Sequence, residues 1–311
     1  MKTPLLDPIR RAIEYLLVRQ RTDGAWLDYA LPVGASDQWV TAYVAAALVR
    51  VPAELRPPAL GPTLERAAQW LICQRSYTRG WGYNGTTGAD ADSTAYAIDF
   101  LRLQGRRVAF EDMDFLLEHW HPAGGARTYL RTDGWGRDHP DVTCPVFRAL
   151  PAAEQRERLP ALLAYLRSMR DEFGCWPAYW WRTSYYSTYL CLELLYELGI
   201  PEAQLLPPPR PATHTMTTAF ELGFALGALA LRADAQAWGP HLEALLRLQQ
   251  KDGGFVGGAN LGVTDPDCHE PWKTPRRRYY VDRQGLLTTA SVLRALLRIS
   301  WLGADRSAAD G

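Results

Sequence analysis

One recurring pattern limits what this chain can fold into: a helical stretch ending in Gln, a Gly with an aromatic, a loop, then Thr-Ala opening an apolar helix. The first copy runs from Gln20, Gly24 and Trp26 to Thr41-Ala42. The second has Gln74, Gly80 and Trp81 before Thr94-Ala95, the third Gly134-Trp135 before Thr143-Cys144, and the fourth Gly174 and Trp176 before Thr188-Tyr189. A fifth lacks the turn and keeps Thr218-Ala219, and the last joins Gln249, Gly253 and Phe255 to Thr289-Ala290. A period of roughly 40–60 residues that fills a chain signals a repeat architecture.

Each copy reads as two helices. The first of each pair (8–20, 63–74, 159–170, 241–250) alternates Arg and Glu with Leu and Ala, the signature of a helix with one wet side. The helices after Thr-Ala are apolar nearly all round, as buried helices must be. Asp-Gly and Gly-Trp supply the positive φ that ends an outer helix, and Ser, Thr or Asp caps each inner one. The expected fold is all-α: an (α/α)6 toroid of about twelve helices, six inner and six outer, in one domain over 1–311. Its repeats lie near 8–50, 62–103, 112–150, 158–199, 210–232 and 240–300, with a tail at 301–311. An open solenoid would need polar capping repeats, which the sequence lacks. The Pro-rich stretch 205–211 is expected to replace the fifth outer helix.

Composition excludes several functions. The 34 basic and 34 acidic residues cancel, so nothing favours nucleic acid or an anionic membrane. Five scattered cysteines without a CxxC pair, no signal-peptide core and no apolar run of about 20 residues read as a reduced, cytoplasmic protein without a transmembrane segment. No P-loop, GxGxxG or GxSxG motif is present. The 12 Trp and 15 Tyr against 8 Phe indicate a use for polar-edged aromatic rings.

These motifs resemble those of the squalene–hopene cyclase and protein prenyltransferase β-subunit superfamily. Gln20-x3-Gly24-x-Trp26 is similar to the QW motif of the cyclases, and Gln249-x3-Gly253-x-Phe255 is a close relative of it. Asp90-Ala-Asp92-Ser93-Thr94-Ala95 is similar to the DxDD-T-A motif of class II terpene cyclases, with Ser93 in place of the final Asp. The resemblance implies that Asp92 is an acid that protonates an alkene or epoxide. The zinc motif of the prenyltransferases is not matched, since Asp265-Pro-Asp267-Cys268-His269 has another spacing and no later His.

The repeat register carries its own argument. Four positions before each inner-helix Thr stand Asp37, Asp90, His139, Ser184, His214 and Gly285. Two positions before it stand Trp39, Asp92, Asp141, Tyr186, Met216 and Leu287. In a closed ring these residues share one rim. N-capping is a sufficient reason for Asp37 or Asp141 taken singly. Asp90 and Asp92 are redundant as caps, and crowded carboxylates in an apolar setting push an Asp pKa up while the helix dipole pulls it down. His139 or His214 can hydrogen-bond the acid and reload its proton.

Aromatic faces can stabilise a carbocation that has no water around it. Trp39, Tyr43, Tyr96, Phe147, Tyr185, Tyr186, Tyr189 and Phe220 on inner helices, with Trp181 in the loop before the fourth, are the candidate substrate-binding residues, many of them also expected as core. The basic run Lys273–Tyr280 reads as a solvated loop or a diphosphate dock. The expected function is protonation of a small hydrophobic polyene by Asp92 with carbocation cyclisation or rearrangement. No cofactor or metal is needed, Mg²⁺ entering only with a diphosphate substrate. A homodimer is compatible with the sequence. Two alternatives stay open. One is a hydrolase using a rim metal or a carboxylate pair, the inverting form needing about 6.5–9.5 Å between carboxyls. The other is a lipid-binding, non-catalytic subunit.

Overall fold

The computed structural model describes residues 3–201, 216–232, 235–274 and 277–309. Eleven α-helices occur among them: α1 (Thr3–Val18), α2 (Gln38–Leu48), α3 (Leu60–Gln74), α4 (Ala91–Leu103), α5 (Phe110–His119), α6 (Pro140–Ala149), α7 (Ala152–Met169), α8 (Ser184–Glu197), α9 (Ala219–Leu231), α10 (Ala235–Arg247) and α11 (Leu286–Ala309). Helices α2, α4, α6, α8, α9 and α11 each pack on the next, and α11 packs back on α2. The inner ring is therefore closed. Outside it, α1 lies on α11, α3 on α2 and α4, α5 on α4, α7 on α6 and α10 on α9. The place of a sixth outer helix, with the Pro-rich stretch, falls at 202–215, outside the described residues.

The helix chemistry follows the sequence. Outer helix α1 buries Leu5, Ile9, Ala12, Ile13 and Leu16 on one face and exposes Glu14 and Val18 on the other. In α2 all eleven residues are buried.

The repeated motif is a set of stitches. Trp26, Trp81 and Trp176 each donate their indole N–H, at 2.7 Å, to a carbonyl in the last turn of an outer helix, of Leu16, Leu71 and Leu166. The backbone N–H of each Trp is received by the Thr of its inner helix, Thr41, Thr94 or Thr188. Gln20 bonds both Gly24 O and Thr63 O on α3, and Gln249 bonds Gly253 O and Pro8 O on α1, tying the last repeat to the first. Gly24 has φ +104°, and a Cβ there would stand 2.5 Å from Arg66 O, so only Gly fits.

Two repeats are in a different register from the sequence reading. In the third, Gly124 (φ +99°) makes the turn and the Ala126 N–H bonds Thr143 Oγ1. The residues Asp133–Gly136, expected to be that turn, form a short 3-10 helix farther along, with Asp133 as its N-cap. In the fifth, Thr218 is the N-cap of α9 and not the residue one turn inside it, so Leu222 takes the place of the usual Thr. Phe220, rather than Met216, then matches Trp39 and Asp92 in position.

The rim also carries strand, which the all-α expectation did not include. Antiparallel β1 (Asp28–Leu31) and β2 (Gly34–Ser36) form one hairpin, and β3 (Ala259–Val263) pairs antiparallel with β4 (Arg278–Val281) in another. Residue Tyr29, the one non-glycine described with a positive φ (52°), lies in β1. Toward the other end of the ring, Glu193 of α8 is buried among Arg148 of α6 and Arg294 and Arg298 of α11. Those arginines hold its carboxyl far below the usual range despite burial.

Candidate active site

The loops and hairpins above the inner-helix N-termini enclose a cavity of about 680 Å³. Its exposed lining residues, Pro32, Val33, Asp265 and Arg278, mark the mouth, and its deep end is made by the buried Trp39, Asp90, Ser93 and Trp181 together with Asp92. Rings form the walls. Trp39 stacks on Tyr83 (centroids 6.5 Å apart) and meets Trp181 at 5.7 Å. In a second group Trp135 lies 6.0 Å from Tyr129 and edge-on to Trp180 at 5.6 Å. Such faces carry partial negative charge and suit a cation without offering it a nucleophile.

The two carboxyls of the α4 N-terminus differ. Asp90 is the N-cap: Oδ1 accepts the Ser93 N–H at 2.7 Å and Oδ2 the Ser93 hydroxyl at 2.9 Å. Ser93, where the family motif has its last Asp, thus serves as a donor to the first one. Burial pushes Asp90 up to about 6, these hydrogen bonds opposing it. Asp92 has no such support. Its Oδ1 is buried without a partner, and desolvation first, then the charges of Asp90 and Asp141, raise its pKa well above the carboxylate range, with the Trp39 indole pulling the other way. Desolvation of this kind favours the protonated form of the carboxyl, which opens onto an aromatic-walled space.

The other rim residues are not all brought to that point. Asp141 is buried and near enough to Asp92 to raise its pKa, but its Oδ2 accepts the N–H groups of Tyr179 and Trp180, both at 2.9 Å, and it does not line the cavity. Asp37 caps α2 without a side-chain bond, and the charges acting on it are Arg21 and Asp23, on the outer turn, so it does not join the acid group. His139 is also not placed as a proton reloader. Burial drives its pKa down to about 3, its Nε2–H donates to Gly134 O, and its ring stacks on Tyr179 at 3.8 Å. His214 lies outside the described residues.

Of the aromatic candidates, Trp39 and Trp181 line the cavity. Tyr186 and Phe220 support Trp181 from behind, at 4.3 and 5.3 Å. Tyr43 packs edge-on to Tyr96, whose hydroxyl meets that of Tyr186 at 3.0 Å. Tyr189 donates to Glu193, Phe147 packs on Trp120, and Tyr185 is buried near Cys175, so these three belong to the core. The sequence reading did not single out Tyr83, Tyr129 or Trp135 as lining, Trp135 having been assigned to a turn. The basic run is a largely exposed strand rather than a loop over 278–280, and Arg277, Arg278 and Tyr280 line the cavity. Arg277 spends its two terminal nitrogens on Trp181 O and Ala178 O, which removes the free fork a diphosphate would use. Among the described residues no group of three His, Cys, Asp or Glu side chains is placed to hold a metal ion, and no helix is long and apolar enough to cross a membrane.

No protein-family model and no curated protein matches the sequence. Solved structures do. The apo structure of the type II terpene cyclase MstE from Scytonema is 26% identical, with a TM-score of 0.83 over 97% of this chain and 100% of that one. Variants of that cyclase have been solved with geranylgeranyl dihydroxybenzoate, its substrate, and with merosterolic acid A, its product. A protein from Actinoplanes is 28% identical, with a TM-score of 0.78 over 95% of this chain and 99% of that one. An α-1,6-mannanase from Salegentibacter, 10% identical with a TM-score of 0.58, shares the fold alone. Over nearly its whole length, then, this chain has the helical toroid of a type II terpene cyclase, and it is similar to one that works within a single ring of helices.

Proposed function

We propose that the protein is a class II terpene-cyclase-like enzyme in which Asp92 starts the reaction. The carboxyl proton of Asp92 is added to an alkene carbon of a linear isoprenoid, the π electrons of that alkene forming the new C–H bond. The cation left on the neighbouring carbon is attacked by the next alkene, and the sequence continues until a proton is lost or water is captured. Proton loss makes the net change an isomerisation, which places the activity among the isomerases and lyases. The Asp92 carboxylate then regains a proton from solvent.

The observation that carries this reading is the Asp92 carboxyl at the ring-walled end of the cavity, its Oδ1 buried without a partner. Protonating an alkene needs an acid that survives at neutral pH, and burial beside two other carboxyls provides one. Trp39, Trp181, Trp180, Trp135, Tyr129 and Tyr83 can attend the cation at successive positions. The polyprenyl chain enters tail first, because the acid is deep and the polar lining residues Asp265 and Arg278 are at the mouth. The substrate of MstE, a geranylgeranyl chain on an aromatic acid, supports a substrate of that class here. The proton step needs no metal, and Mg²⁺ enters only if the head is a diphosphate.

A carboxylate-pair hydrolase is less well supported, because Asp141 and Asp37 turn away from the cavity that Asp92 faces. The test is to incubate the wild type and Asp92→Asn with geranylgeranyl dihydroxybenzoate and with geranylgeranyl diphosphate. Cyclised product from the wild type alone is the expected result, and equal turnover by the variant removes the reading.

A further inference from the structure

We propose that Asp141 and Arg277 are positioning residues that together grip the loop Ala178–Trp181 and so hold the tryptophan wall of the cavity in place. This rests on the cyclase reading for its consequence, though not for its geometry. Asp141 accepts the two N–H groups of Tyr179 and Trp180, while Arg277 donates to the carbonyls of Ala178 and Trp181, at 3.2 and 2.7 Å. The carboxylate thus holds the two middle residues of the stretch by their N–H groups, and the guanidinium holds the two outer ones by their carbonyls. Each charge is partly balanced by the other, which is how both tolerate burial without a direct ion pair.

The gripped residues face the chemistry. Trp180 and Trp181 both line the cavity, and Trp181 meets Trp39 at its deep end. The Trp180 indole N–H bonds the Thr128 hydroxyl at 2.8 Å, and the Thr128 carbonyl accepts the N–H of Ala91, the residue between Asp90 and Asp92. The loop is also zipped to β3, through Gly262 N–H to Trp180 O and Arg182 N–H to Asn260 O. Displacing it moves two ring faces and disturbs the peptide next to the acid. Asp141 is therefore used through the wall it holds, and not as a second acid on the substrate.

Charge and shape can be separated. Asp141→Asn keeps an oxygen that can accept both N–H groups and removes the charge, whereas Asp141→Ala removes both. The charged and titratable groups around Asp141 are Arg277 just before β4, Asp92 on α4, Cys191 on α8, Tyr165 on α7 and Tyr179 in the loop. The experiment is amide hydrogen exchange over 177–183 on the full chain without substrate, followed by product analysis.

In Asp141→Ala, exchange at Tyr179 and Trp180 should quicken at least tenfold and early-quenched products should appear. In Asp141→Asn, protection and product pattern should return, while the alkaline limb of the rate profile moves to lower pH because one charge near Asp92 is gone. Unchanged exchange in Asp141→Ala overturns the grip, whatever the activity. Faster exchange with an unchanged product pattern and KM overturns its positioning role. If Asp141→Ala does not fold, Arg277→Gln opens the other side and is read in the same way. Turnover by Asp92→Asn would instead refute the cyclase reading and leave the exchange result standing.

Discussion

Asp90 and Asp92 stand two residues apart at the start of one helix, yet Asp90 takes both hydrogen bonds from Ser93 while Asp92 Oδ1 takes none. The cap is satisfied by the first carboxyl, and the second keeps an unpartnered buried oxygen and a raised pKa.

Replacing Asp92 with Asn should lower the rate by about a thousandfold or more, the upper range of what a positioned general acid contributes. Stability should change little, because a protonated carboxyl and an amide of the same shape cost about the same to bury without a partner. Product assays and a thermal melt on the same sample check both halves.

The pH dependence has a definite sign. Catalysis needs protonated Asp92, so the rate should fall as pH rises through its raised pKa. Asp90 and Asp141, each pushed by burial up to about 6, bind protons more tightly folded than unfolded. Their stabilising effect is full below the unfolded pKa near 4 and is lost as pH rises through about 6, at most about 3 kcal/mol for each. Asp90→Asn keeps a good cap and should flatten that slope in a series of melts between these limits.

The walls should steer product identity. Trp181→Ala removes the ring that meets Trp39, Tyr186 and Phe220, and should cost about 3–5 kcal/mol and release early-quenched products. Trp181→Phe should restore most of the product pattern. Mass-spectrometric product profiles decide this.

The far end of the ring should matter for folding and not for product identity. Glu193→Gln leaves Arg148, Arg294 and Arg298 without their shared carboxylate and should destabilise by about 3–5 kcal/mol. Denaturant unfolding measures the loss, and an altered product profile would show that the cluster reaches the cavity.

The ring was legible because each Thr, Gly and Trp of the motif makes a bond that the fold needs, as Trp26 does with Leu16 and Thr41. The same rule misled where another residue does the job. Thr218-Ala219 looks like the motif pair but is a cap, and Gly124 makes the turn that Gly134 was expected to make. That Asp92 is not the cap was legible, because its spacing from Asp90 makes it superfluous as one. The direction of Asp141 was not, since its partners Tyr179 and Trp180 lie 38 and 39 residues away. Short β3 and β4, one of them largely exposed, carry no alternation strong enough to read as strands.

The most direct measurement of the central claim is turnover of a geranylgeranyl substrate in deuterated water. The account predicts one deuterium in each product molecule, on the alkene carbon that receives the Asp92 proton, and no labelled product from Asp92→Asn. Cyclised product without deuterium at that carbon, or labelled product from the variant at the wild-type rate, would contradict it.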